Sequence, residues 1–107
     1  MIIVDTALQK RADAGKPIRV GVIGAGYMGR GMIMQIITAF KGMEVSAVFN
    51  RTIETAELAY TQSGVSDVKR ADSVAALESA INAKQAVVTD NPLLLCEASN
   101  IDCIVEA

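Results

Sequence analysis

Apolar and polar positions follow one another along the chain in blocks whose period switches between strand and helix. Val20-Gly21-Val22-Ile23 closes a strand predicted over residues 19–23. An unbroken apolar run of this kind suits a parallel strand covered on both faces. The next block, 27–41, sets Met28, Met32, Ile33, Ile36, Ile37 and Phe40 at helical spacing, and this stripe is expected to lie in the core. Gly42 is the expected terminator. Residues 44–50 return to a strand, with Val45, Ala47, Val48 and Phe49 apolar. A helix is predicted over 53–62, with Thr52 as its N-cap and Gly64 as its stop. Residues 65–69 form a short third strand. Asp72 or Ser73 then caps a helix reaching residue 82, with Val74, Leu77 and Ile81 on one face. Ala86-Val87-Val88-Thr89 is a fourth strand. Asn91-Pro92 is a helix start, a capping side chain followed by proline at the first helical position. Leu93, Leu94, Leu95 and Ala98 continue it, and residues 101–107 make a fifth strand. Ahead of all this, residues 4–14 read as a helix with Leu8 and Ala12 on one face, ended by Gly15-Lys16-Pro17.

Strands and helices that alternate from end to end predict an α/β fold. The expected form is a Rossmann-type, doubly wound parallel sheet of about five strands with right-handed crossovers, preceded by an N-terminal helix. Residues 1–17 would be a helical extension and residues 18–107 the sheet domain. A fifth strand running to the last residue leads to the expectation that the chain is the N-terminal part of a longer protein, with its catalytic domain absent.

Composition narrows the chemistry. The 107 residues suit one domain, and the net charge of −2 comes without a basic stripe, which argues against nucleic acid or an anionic membrane as partner. No apolar run approaches the length of a membrane span, and the N-terminus lacks the pattern of a signal peptide, so a cytoplasmic location is expected. Cys96 and Cys103 are expected as half-buried free thiols. The chain has no histidine, which removes the commonest general base and metal ligand. No metal site and no catalytic residue is assigned within it.

The stretch that carries chemistry is Gly24-Ala25-Gly26-Tyr27-Met28-Gly29. Its G-x-G-x-x-G spacing, after a predicted strand and before a predicted helix, is that of a dinucleotide-binding turn. Gly24 would permit the tight turn, Gly26 the approach of a pyrophosphate, and Gly29 the close packing of helix on sheet. The helix start would aim unpaired N–H groups at the phosphates. The residue that reads the adenosine ribose lies about 20 positions further on, at the end of the second strand. There the chain has Asn50-Arg51-Thr52 and no carboxylate. An acid would repel a 2′-phosphate, whereas Arg51 offers a planar fork to the phosphate or a stacking surface to the adenine, so NADP(H) is expected in preference to NAD(H). Thr52 could donate its hydroxyl, with capping of its own helix in competition. The alternative for Arg51 is a solvated surface cation. Arg30 is a second cation near the turn, expected to point to solvent. Thr89, Asp90 and Asn91 stand at the carboxyl edge of the sheet and could line the nicotinamide side, although a capping role explains Asn91 first. Glu106 could approach the nicotinamide ribose or simply end a strand.

Residues 15–29, together with Asn50-Arg51-Thr52, the run from Val88 through Asn91-Pro92 to Cys96, and Ile101-Asp102-Cys103-Ile104-Val105-Glu106-Ala107, resemble the start of homoserine dehydrogenase-like oxidoreductases. The similarity is greatest to a branch described as 1-deoxyxylulose-phosphate reductoisomerase-like, often fused to a SAF-type domain. The resemblance implies an NADP(H)-dependent reductase or dehydrogenase whose catalytic lysine, acidic or metal-binding residues would lie beyond residue 107, with the small-molecule substrate met by an absent domain and a homo-oligomer expected for the parent protein. A second expectation is a sugar or polyol dehydrogenase of the glucose–fructose oxidoreductase type, which shares the glycine turn. Outside enzymes, a module that senses NADP(H) without turnover, or a structural oligomerisation domain, would use the same fold.

Overall fold

The computed structural model describes residues 17–38 and 42–106. The helix predicted at 4–14 and the tail of the one predicted at 27–41 lie outside the described residues. The order of elements is β1 (Ile18–Ile23), α1 (Tyr27–Thr38), β2 (Met43–Phe49), α2 (Ile53–Gln62), β3 (Val68–Arg70), α3 (Val74–Asn82), β4 (Ala86–Thr89), α4 (Pro92–Glu97) and β5 (Cys103–Glu106). The five strands form one sheet in the order β3-β4-β2-β1-β5, with every neighbouring pair parallel.

Helices cover both faces, as right-handed crossovers require when a chain first winds one way across a sheet and then back. On one face Ile33 and Ile36 of α1 and Ala56, Ala59 and Tyr60 of α2 pack on Val20, Val22, Val48 and Val88. On the other, Leu77 and Ile81 of α3 and Leu94 and Leu95 of α4 pack on Ala47 and Val87. The central strands are therefore apolar on successive residues. Gly21 in β1 has a packing reason of its own: a Cβ there would stand 3.0 Å from Ile104 Cδ1, 3.2 Å from Leu95 Cδ2 and 3.3 Å from Ile101 Cγ2. The β1–β2 register shifts between Val20 and Gly21, leaving Ser46 as the extra residue of a bulge.

Three strand boundaries move inward from their expected positions. Val65 N–H bonds back to Tyr60 O at the exit of α2, and Asp67 O accepts from the Gln85 side chain, so the β3 ladder begins only at Val68. At β5 the Asp102 carboxylate accepts from Arg19 N at 2.8 Å and pairs with the Arg19 guanidinium at 3.2 Å, taking the place of a ladder carbonyl. At the other end of β2, Asn50 is already outside the strand. The two thiols also differ from expectation: Cys96, on the outer side of α4, and Cys103, at the sheet edge, are both exposed.

Candidate functional site

β1 lies between β2 and β5, so the chain leaves β1 in one direction for its next strand and fills the opposite side only later. Such a reversal opens a crevice outside the carboxyl ends of the strands, where ligands bind in open α/β sheets. The glycine turn sits in that crevice, directly after Ile23, whose register partner is Glu106 of β5.

Gly24 has φ 101°, a conformation an L side chain rarely adopts, and its N–H donates to Phe49 O at 2.9 Å. Ala25 is fully buried and its N–H donates to Asn50 Oδ1 at 3.0 Å. Gly26 is the first residue of α1's hydrogen bonding: Arg30 N donates to Gly26 O at 2.8 Å. The N–H groups of Tyr27, Met28 and Gly29 precede that bond and have no intrahelical acceptor. Gly26 is exposed, its φ is not positive, and a Cβ built on it meets nothing within 4 Å. Neither backbone strain nor packing explains a glycine there. The position leaves open space beside unpaired helix N–H groups, through which an anion can approach the main chain. Gly29 is buried on the sheet side of α1.

The other half of the site follows β2. Asn50 is half-buried; its Nδ2 donates to Thr52 O at 2.9 Å while its Oδ1 holds Ala25, so one donor and one acceptor on the partners fix the orientation of the amide. Its own N–H donates to Thr89 O at 3.3 Å. Thr52 stands at the N-cap of α2 with extended backbone, but its hydroxyl makes no capping bond. The expected competition between capping and ligand binding is therefore absent, and Thr52 Oγ1 is exposed and available. Arg51 is exposed and its guanidinium has no hydrogen bond or ion pair among the described residues.

Gly24 and Ala25 are thus bonded to the end of β2, at Phe49 O and Asn50 Oδ1, and Asn50 in turn to Thr52 O, with Arg51 between the last two; Gly26 adjoins them along the chain. Met28 departs from the expected core stripe. It is 74% exposed, about 100° around the helix from Gly29, which lies in line with buried Ile33 and Ile36. Arg30 turns to the outer side of α1, where its guanidinium donates to Gln62 Oε1 at 3.4 Å. Thr89 is fully buried, its hydroxyl accepting from Asn91 N, and the exposed Asn91 caps α4 through its Oδ1 at Leu93 N. Glu106 is exposed at the crevice mouth. The carbonyl of Phe49, which anchors the turn, has no side-chain signal by which sequence reading could have found it. No cluster of acidic and cysteine side chains able to hold a metal ion occurs among the described residues, and no helix among them is long and apolar enough to cross a membrane.

Comparison with known proteins agrees with this geometry. The family model GFO_IDH_MocA, described as "Oxidoreductase family, NAD-binding Rossmann fold", matches residues 18–105. Among solved structures, myo-inositol dehydrogenase from Lactobacillus casei, in complex with NAD(H) and myo-inositol, is 27% identical with a TM-score of 0.59; the match covers 85% of this chain and 21% of that one. An apo scyllo-inositol dehydrogenase from the same organism is 18% identical with a TM-score of 0.42, covering 84% of this chain and 36% of that one. The chain thus spans about a fifth to a third of the length of these structures. No curated protein sequence matches it. The family model and the myo-inositol dehydrogenase structure favour the sugar or polyol dehydrogenase expectation over the homoserine dehydrogenase-like and reductoisomerase-like one, which they do not support.

Proposed function

The chain belongs to the GFO/IDH/MocA oxidoreductases as an NAD-binding Rossmann domain, and from that premise we propose that it holds NADP(H) for hydride exchange with a polyol or related hydroxy-carbonyl substrate. The bound nicotinamide supplies the hydride donor or acceptor; the residues of this chain bind and orient the dinucleotide. The pyrophosphate rests on the N–H groups at the start of α1, against the side-chain-free face of Gly26. The adenosine end meets Arg51 and Thr52. The observation that carries the cofactor preference is the pair of unengaged groups there, a guanidinium with no hydrogen bond or ion pair among the described residues and a hydroxyl that does not cap its helix. No carboxylate stands at residues 50–52 to repel a 2′-phosphate. The substrate class rests on the likeness to the inositol dehydrogenase fold. Substrate-binding and proton-transfer groups belong to residues outside this chain, and the location in the cytoplasm and a homo-oligomeric assembly remain part of the same proposal.

Calorimetric titration with NADPH and with NADH tests the preference. A charge-assisted hydrogen bond from an exposed arginine is worth about 1–2 kcal/mol, so Arg51→Ala should weaken NADPH roughly 5–30-fold and leave NADH nearly unchanged. Equal binding of the two dinucleotides by the unaltered protein would refute the assignment of Arg51.

A further inference from the structure

We infer that Asn50 is a positioning residue: its amide ties the glycine turn to the Arg51–Thr52 segment and so sets the separation of the pyrophosphate and 2′-phosphate subsites. The inference rests on the reading of those subsites given above. Three bonds hold Asn50 in place. Its N–H is anchored to Thr89 O at 3.3 Å, its Oδ1 takes Ala25 N at 3.0 Å, and its Nδ2 reaches Thr52 O at 2.9 Å. Among the described residues, the bond to Ala25 is the one side-chain tether on the turn. It acts on the peptide after Gly24, whose φ of 101° belongs to the residue with the widest conformational choice. Without the tether, the turn samples other shapes before a ligand arrives, and binding must supply the ordering.

The same geometry explains the residue type without reference to charge on the ligand. An aspartate could accept from Ala25 N but would set its second oxygen against the Thr52 carbonyl, acceptor facing acceptor. A serine or threonine hydroxyl is a single polar atom and cannot stand at both partners. Only an amide of this length offers one acceptor and one donor in the two required directions. Asn50 then acts on both subsites: on the turn, which every dinucleotide uses, and on Arg51, which only the 2′-phosphate uses.

The test is a set of calorimetric titrations with NADPH and NADH on the protein, Asn50→Ala, Arg51→Ala and the double variant. Asn50→Ala should weaken both dinucleotides by at least about fivefold, the equivalent of one hydrogen bond, and NADPH somewhat more than NADH. The excess loss for NADPH should vanish when Arg51 is already alanine, because Asn50 reaches the phosphate only through that segment. Unchanged NADH affinity in Asn50→Ala overturns the inference. An excess NADPH loss that persists beside Arg51→Ala also overturns it, since Asn50 would then touch the phosphate itself. Asn50→Asp retains the bond to Ala25 and decides the matter if Asn50→Ala does not fold. It should fail to raise NADH affinity, and a gain, as a carboxylate on the ribose hydroxyls would give, overturns the tie to Thr52. If Arg51→Ala alone leaves the NADPH-to-NADH ratio unchanged, the phosphate assignment has failed, and the NADH titrations still report on Asn50.

Discussion

Gly26→Ala separates a glycine that a ligand needs from one that the fold needs. The backbone there is not in the left-handed region and an added methyl meets nothing within 4 Å, so the folded state accepts it without strain. Two small effects then oppose each other. Alanine narrows the unfolded ensemble and stabilises by about 0.4–1 kcal/mol. Gly26 is also the N-cap of α1, its carbonyl accepting from Arg30 N, and alanine is the poorer cap by roughly 0.5–1 kcal/mol. The net change in folding free energy should be below about 0.5 kcal/mol, or no more than about 2–4 °C in Tm for a domain of this size. Binding behaves differently. The methyl projects into the space in front of the unpaired N–H groups of Tyr27 and Met28, and lifts any phosphate off them. Affinity for NADPH and NADH should fall at least tenfold, about 1.4 kcal/mol, for both. Thermal melts with circular dichroism and calorimetric titration measure the two quantities on the same sample. A loss of stability above about 2 kcal/mol would show that the fold requires this glycine. Unchanged binding in a stable variant would show that the open space is not the phosphate cradle.

Three further outcomes follow from packing and charge. Gly21→Ala forces a methyl against Leu95, which is fully enclosed, and Ile104, which is partly exposed and can yield; the clash outweighs the entropy gain and should cost about 1–2 kcal/mol in urea unfolding, with a neutral result refuting the close approach of α4 and β5 to β1. Leu77→Ala empties a position with no exposure beneath α3 and should cost about 2–5 kcal/mol by the same assay, a loss under 1 kcal/mol counting against the second hydrophobic cluster. The Glu78 carboxylate accepts from both the N–H and the hydroxyl of Ser99 at 2.6 Å, and these bonds hold it below its ordinary value of 4.5. A depressed folded value contributes stability above the unfolded value and loses it as pH falls through the folded one. The urea midpoint of the unaltered protein should therefore drop more steeply than that of Glu78→Gln between about pH 5 and pH 3, and parallel curves would refute the assignment.

What could be read from sequence was whatever depends on neighbours along the chain. The glycine turn between strand and helix, the Asn91-Pro92 start of α4 and the Ser73 cap of α3 all use local bonds, and each stands where local rules put it. Strand order was not legible. Alternation of elements does not say that β4, and not β3, pairs with β2, because that choice is made by which apolar faces meet across the sheet. Met28 misled because periodicity measures angle around a helix and not whether anything lies beneath a given turn; at 74% exposure nothing does. Thr52 fits every local rule for a cap, yet its hydroxyl is unused. Asn50 fits the position of a ribose ligand, yet its amide serves two main-chain groups, one of them 25 residues earlier.

The anchor of Gly24 and the anchor of Asn50 have a joint consequence. Phe49 O, which receives Gly24 N–H, and Asn50 N–H, which reaches Thr89 O, belong to one peptide group. That group is planar and stiff, so its two ends cannot be reoriented separately. It works as a crossbar between the phosphate turn on one side and the top of β4 on the other. Tilting the bar to suit one neighbour strains the bond to the other. A displacement of the segment that leads from Thr89 into α4 is therefore delivered to the glycine turn through main chain alone, whatever side chains occupy the crevice.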